Sequence, residues 1–171
     1  MKKQIILLNL LLGISFGLNA QKFAMVDMEY IMKKIPSYES ANEQLNQISK
    51  KWQSEVDVQM QEVQTMYKNY QTELVFLSDD MKTKREEEIV KKEKEAQELK
   101  RKYFGPEGEL YKKRQSLMKP IQDEVYNTVQ GVCKDKDIDL IFDKSSAMSV
   151  VFTSSKIDIS DLVLQKLGYS K

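Results

Sequence analysis

From Ser37 to Cys133, apolar residues recur at steps of three and four, and that spacing leaves few folds open. The first series is Tyr38, Ala41, Leu45, Ile48, Trp52, Val56, Met60, Val63, Tyr67, Tyr70, Leu74 and Leu77. The second is Ile89, Ala96, Leu99, Tyr103, Leu110, Leu117, Ile121, Val125, Val129 and Val132. Such steps return to one side of a helix, so each series predicts a long amphipathic α-helix. At about 1.5 Å per residue the first arm is roughly 60 Å long, too long and narrow for a globular core. Between the series, Ser78 is placed to N-cap the returning helix, with Asp79 and Asp80 in its positive first turn.

Folding the chain back at Ser78–Asp80 predicts an antiparallel hairpin in which Tyr70 meets Ile89, Val63 meets Ala96, Met60 meets Leu99, Val56 meets Tyr103 and Tyr38 meets Ile121. Charge agrees. Residues 37–81 hold three Lys against eight Asp or Glu, and residues 82–119 hold thirteen Lys or Arg against eight Glu. Exposed pairs of this kind each contribute little.

Two features interrupt the pattern. Gly105-Pro106-Glu107-Gly108 breaks the return arm, because proline lacks an N–H and clashes with the carbonyl four residues back, here Lys102. The expectation is a kink or short break at 104–108 with Trp52 packed into it opposite Pro106–Glu107. Gly105, Pro106 and Gly108 then read either as a hinge or as a static kink. Pro120 predicts a second, milder bend. At the tip, Leu74-Val75-Phe76-Leu77 is continuously apolar, and a two-helix hairpin buries only one side of each helix. Some of that surface must stay exposed or meet a partner.

Residues 1–20 read as a secretory signal peptide cleaved near Ala20: Lys2 and Lys3, an apolar run Ile5–Leu18, then Leu18-Asn19-Ala20. The run is short for a membrane-spanning helix and is broken by Asn9, Gly13 and Gly17. The mature chain has 25 basic against 26 acidic side chains. Net charge therefore argues against a nucleic-acid partner and lends no support to contact with a membrane surface. Cys133 is the only cysteine and follows Val125 and Val129 on an apolar helix face, so it reads as a buried small hydrophobe, with an intermolecular bridge as the alternative.

The remainder, 21–36 plus 122–171, reads as a small β-rich body. Lys22–Met28 has strand character and Glu29–Ile35 one or two helical turns. Pro36 leads into the hairpin, with Ser37 or Ser40 as its N-cap. After a polar break at Lys134–Asp137, Ile138–Asp143 reads as a strand and Met148–Phe152 as its hairpin partner. Asp158-Ile159-Ser160-Asp161 caps a last helix, Leu162–Leu167, stopped by Gly168. A body of about 65 residues with unpaired strand edges barely buries a core alone, which predicts association of several copies.

Chemistry is sparse. The chain has no histidine, no glycine-rich phosphate loop and no metal-ligand cluster. Asp139, Asp143, Asp158 and Asp161 sit at strand ends and helix caps, where structural roles are ordinary. Neither an enzyme, a cofactor nor a metal site is expected, and any work on a partner is passive.

The order of these elements, with Phe23–Met28, Pro120–Val125, Ile138–Asp143 and above all Asp158-Ile159-Ser160-Asp161-Leu162-Val163-Leu164, resembles the Skp/OmpH family of periplasmic chaperones. The resemblance implies a mostly helical α+β fold in which a helical hairpin, or tentacle (37–121), projects from a small β-barrel body assembled between three subunits. It implies an ATP-independent holdase of the periplasm that keeps unfolded outer-membrane proteins in a cavity between tentacles. Under that reading Phe23, Met25, Val26, Leu140, Phe142, Val150 and Phe152 form the oligomerisation surface, and Phe76, Tyr103, Phe104 and Tyr67 contact the client. The near-neutral charge departs from the family's often basic character, so neither charge steering nor lipopolysaccharide binding carries over. The alternative is a non-catalytic coiled-coil adaptor of the cell envelope, which calls for a continuous heptad seam and few exposed aromatics.

Overall fold

The computed structural model describes residues 21–146 and 150–169. The expected signal peptide lies outside them. The elements are β1 (Phe23–Val26), α1 (Met28–Lys34), α2 (Pro36–Glu73), a 3₁₀ turn (Leu74–Phe76), α3 (Asp79–Phe104), α4 (Glu109–Lys136), β2 (Leu140–Asp143) and α5 (Ser160–Lys166). They divide into two compact units, one comprising residues up to Lys34 and from Val125 onward, the other Ile35–Glu124.

In the first unit β1 pairs with β2 in parallel, Phe23 opposite Leu140 and Val26 opposite Asp143. This corrects the expected hairpin of Ile138–Asp143 with Met148–Phe152. Residues 147–149 lie outside the described set, and Val150–Phe152 carries no strand. The other edge of β1 is taken instead by the Asp158 segment: Met25 N–H donates to Ile157 O at 2.8 Å and Ile159 N–H to Met25 O at 2.9 Å. β1 is thus the central strand, and Ala24, Met25 and Val26 are all buried. Also buried in this unit are Ile31 and Met32 of α1, Val125, Val129 and Val132 of α4, and Val163 and Leu164 of α5.

Helix ends follow their local chemistry. α4 runs on to Lys136, past the expected break at Lys134, and stops where Asp137 turns to φ 53°. Ile138 N–H then reaches back to Cys133 O at 2.9 Å. Gly168, at φ 84°, ends α5 in the same way, with Tyr169 N–H on Leu164 O at 2.9 Å. Glycine, and asparagine or aspartate after it, tolerate that left-handed geometry best. α5 starts two residues earlier than expected, at Ser160.

The second unit is the helical hairpin. α2 begins at Pro36 itself, with Ile35 in the N-cap position and no side-chain cap, so neither Ser37 nor Ser40 plays that part. Proline suits the first helical position because its missing N–H would have no partner there. Ser78 does cap α3, its Oγ accepting from Met81 N–H at 3.4 Å. The seam is aliphatic: Ala41, Leu45 and Val56 from α2, Ile89 and Ala96 from α3, and Met118 and Ile121 from α4 are buried. The tip departs from the expected register. Leu74–Phe76 forms the turn, so the chain reverses a few residues before Ser78–Asp80. Cross-arm partners therefore lie nearer the tip than expected: Glu62 meets Lys92 at 2.8 Å, Tyr70 meets Glu86, and Trp52 meets Tyr103 rather than Pro106–Glu107.

Gly105–Gly108 interrupts the return arm as expected, in a tight turn closed by Gly108 N–H on Gly105 O at 2.9 Å. Both glycines are sterically required. A Cβ on Gly105 would collide with the Arg101 carbonyl, and one on Gly108 would sit 2.7 Å from the Tyr103 carbonyl. Pro120 lies inside α4 without ending it.

Candidate functional site

Two surfaces and one polar cluster carry the residues singled out from the sequence. On the hairpin, Phe76 is 86% exposed and Val75 80% exposed at the tip. The 3₁₀ turn points consecutive side chains around its axis, and the opposite arm covers only one side. Met60 and Tyr67 of α2 and Leu74 at the start of the 3₁₀ turn are exposed at seven-residue intervals, outside the buried seam. Met60, expected to face Leu99 in the seam, belongs to this second stripe. Val58 of α2, with Met81 and Val90 of α3, adds exposed apolar side chains.

Of the four expected contact residues, Phe76 and Tyr67 are free at the surface, whereas Tyr103 and Phe104 are half-buried and meet edge to face at 6.4 Å. Tyr103 is further engaged. Its ring stacks on Trp52 at 4.7 Å and its hydroxyl donates to Glu55 at 2.6 Å. That bond holds the phenol's pKa above its ordinary value. Among the described residues no ring contact joins Tyr67 or Phe76 to this cluster, so the four do not form one pocket. The hairpin offers dispersed apolar side chains among charges, a surface suited to many weak contacts.

The second surface is one face of the small sheet. In the parallel register Phe23 and Leu140 share a face with Met25 and Phe142. Phe23, Leu140 and Phe142 are 57%, 54% and 45% exposed, while Met25 and Val26 are buried within the chain. Val150, Val151 and Phe152 add an exposed apolar segment. Among the described residues β2 pairs only with β1, which leaves its outer edge open.

The aspartates outside the hairpin tie the first unit together. Asp158 accepts from Ser160 Oγ at 2.6 Å and from Lys144 Nζ at 2.7 Å, and Lys144 also lies 3.6 Å from Asp27. Ser160 Oγ in turn accepts from Asp27 N–H at 2.8 Å. Burial pushes the Asp158 carboxyl up, but the bonds from Lys144 and Ser160 outweigh it and leave the pKa below the ordinary value. Asp143 is likewise pushed up by burial and pulled further down by Ser145 and Met28 N–H. Asp139 accepts from Lys22 N–H at 2.9 Å and Asp161 from Tyr30 Oη at 3.0 Å. The Asp-Ile-Ser-Asp segment is thus the fastener of the third sheet position. Cys133 is half-buried, and burial raises its thiol. Among the described residues no group of His, Cys, Asp or Glu is placed to hold a metal ion, and no helix is long and apolar enough to cross a membrane.

A long helical hairpin inserted between two parallel strands of one small sheet, with apolar surface left open on both units, defines an α+β architecture of a distinct kind. The family described as "Outer membrane protein (OmpH-like)" matches residues 22–167, and the chain belongs to that family. An uncharacterized protein of Aquifex aeolicus (strain VF5) is 29% identical over 167 residues, covering 98% of this chain and 96% of that one. The fold is similar to the crystal structure of an OmpH-like protein of Caulobacter crescentus CB15, named as a candidate outer membrane chaperone. That comparison has a TM-score of 0.68 at 13% identity and covers 88% of this chain and 86% of the other.

Proposed function

We propose that this protein is a chaperone of the cell envelope: an ATP-independent holdase of the periplasm that keeps unfolded outer-membrane proteins from aggregating. Membership of the OmpH-like family and the chaperone named among its structural neighbours support the class. The observation that carries the reading is the exposed apolar surface of the hairpin, from Met60, Tyr67 and Leu74 to Val75 and Phe76 at the tip. An unfolded barrel strand offers alternating apolar side chains, and many weak contacts hold it without fixing it. Three copies share one body through Phe23, Leu140, Phe142, Val150 and Phe152, with Met25 and Val26 behind them, and the client lies between their hairpins. Gly105, Pro106 and Gly108 form the hinge at which each hairpin flexes.

The adaptor reading needs an unbroken seam and a polar exterior. The interruption at Gly105–Gly108 and the bare tip favour the chaperone. The test is turbidity after diluting a urea-unfolded outer-membrane barrel protein into the mature protein. Suppression at near-stoichiometric ratios is expected. Aggregation at the rate seen without the protein would reject the reading.

A further inference from the structure

Within the hairpin unit, Tyr103 fastens the end of α3 to α2. Tyr103 lies 5° from parallel on Trp52 and hydrogen-bonds Glu55, while the Lys102 ammonium sits 5.8 Å from its ring centroid. The chain leaves the helix two residues later. The turn that follows folds back onto the same residue, since a Cβ on Gly108 would meet the Tyr103 carbonyl. The turn thus packs against the backbone of the residue whose ring Trp52 and Glu55 hold. Pro106 offers no N–H to the Lys102 carbonyl, and the turn's backbone bonds are Gly105 N–H to Arg101 O at 2.8 Å, Gly108 N–H to Gly105 O at 2.9 Å and, into the next helix, Lys112 N–H to Gly108 O at 3.1 Å. Elsewhere the seam is closed by buried aliphatic side chains such as Val56 and Ala96. Tyr103, Trp52 and Glu55 are only half-buried, so water can replace the hydroxyl–carboxylate bond when it breaks and no buried polar group is orphaned.

We propose that Tyr103 is a latch: its grip on Trp52 and Glu55 keeps the Gly105–Gly108 turn closed, and its release lets the return arm pivot there and bares Trp52 and Phe104. This rests on the hinge reading of Gly105, Pro106 and Gly108. It adds the regulation of that hinge, a two-state contact rather than free flexing.

The test is amide hydrogen exchange across residues 105–112, with acrylamide quenching of Trp52, the chain's only tryptophan. Tyr103→Phe keeps the stack and removes the bond to Glu55, and Tyr103→Leu removes both. Exchange at 105–112 should rise several-fold, up to about tenfold, in Tyr103→Phe, the factor set by the net loss of one hydrogen bond that water can replace. It should rise further in Tyr103→Leu, with Trp52 quenching following the same order and the amides of Ile89–Ala96 unchanged. A turn that already exchanges faster than Ile89–Ala96 in the unaltered protein, and that neither variant accelerates, overturns the latch and leaves the hinge. A turn as protected as Ile89–Ala96 in all three proteins overturns both. Acceleration spread evenly along the hairpin marks general destabilisation and also overturns the latch.

Discussion

The two units solve opposite problems. In the unit built around β1, polar side chains are spent on each other: Asp27, Lys144, Asp158 and Ser160 close one network, and Ala24, Met25 and Val26 of the central strand are buried. In the hairpin, ion pairs are peripheral, the buried side chains are all apolar, and Tyr67, Val75 and Phe76 stand in solvent. The first arrangement specifies one structure. The second has few polar fasteners and, like the sheet face of Phe23, Leu140 and Phe142, leaves apolar surface open, which costs a lone chain solubility and gives a binding surface its material. Equivalent substitutions should therefore cost stability in one unit and function in the other.

The largest effect belongs to the first core. Val125 is fully buried, and Val125→Asp places an unpaired charge there; a loss of roughly 4 kcal/mol or more is expected, read as loss of the cooperative thermal transition. Gly108→Val forces a Cβ against the Tyr103 and Lys102 carbonyls and should cost about 1–3 kcal/mol by the same measurement. Ser160→Ala strips the Asp27 N–H of its acceptor and Asp158 of a donor, for about 1–3 kcal/mol in urea unfolding.

Acid should separate the units. Asp158 and Asp143 have depressed pKa values, so the stability they confer is present above the unfolded-state value of about 3.9. It is lost as pH falls below that value and through the folded one. Lys144 is raised by its bond to Asp158, so its share is present at neutral pH and fades only as pH climbs past about 10.4 and through the folded value. Thermal melts from pH 7 to pH 2 should show a drop confined to the region below about pH 4, shallower in Asp158→Asn. An unchanged slope in that variant would remove Asp158 from the account. The smallest stability effect lies at the tip. Phe76→Ser, at a side chain 86% exposed, should shift stability by roughly 1 kcal/mol or less and leave assembly intact, yet weaken suppression of aggregation several-fold; adding Phe104→Ser, whose ring packs on Tyr103, should cost about 1 kcal/mol more.

The hairpin seam was legible because its signal is local. Ala41, Leu45, Val56, Ile89, Ala96 and Ile121 repeat on one helix face, and Ser78 announces the second helix by its capping chemistry. Register was not, since it depends on where the chain reverses, and Leu74–Phe76 reads equally well as helix or turn. Nor does periodicity separate a buried seam from a stripe running beside it, which is why Met60 falls outside. Phe76 was legible as exposed surface because four consecutive apolar residues cannot all face one partner helix. Tyr103 was misplaced because its ring is held by Trp52 one turn away from the expected register. The sheet was least legible. Parallel pairing of β1 with β2 joins residues separated by the whole hairpin, and no local pattern encodes it. Val150-Val151-Phe152 has the β-branched and aromatic composition of a strand, but nothing among the described residues pairs with it.

The most direct test of the chaperone account is light scattering coupled to size exclusion on residues 21–171, alone and after dilution of a urea-unfolded outer-membrane barrel protein into them. The account predicts a trimer alone and a soluble stoichiometric complex with the client. A trimer that leaves the client to aggregate would contradict the holdase reading, and a monomer would contradict the shared body on which it rests.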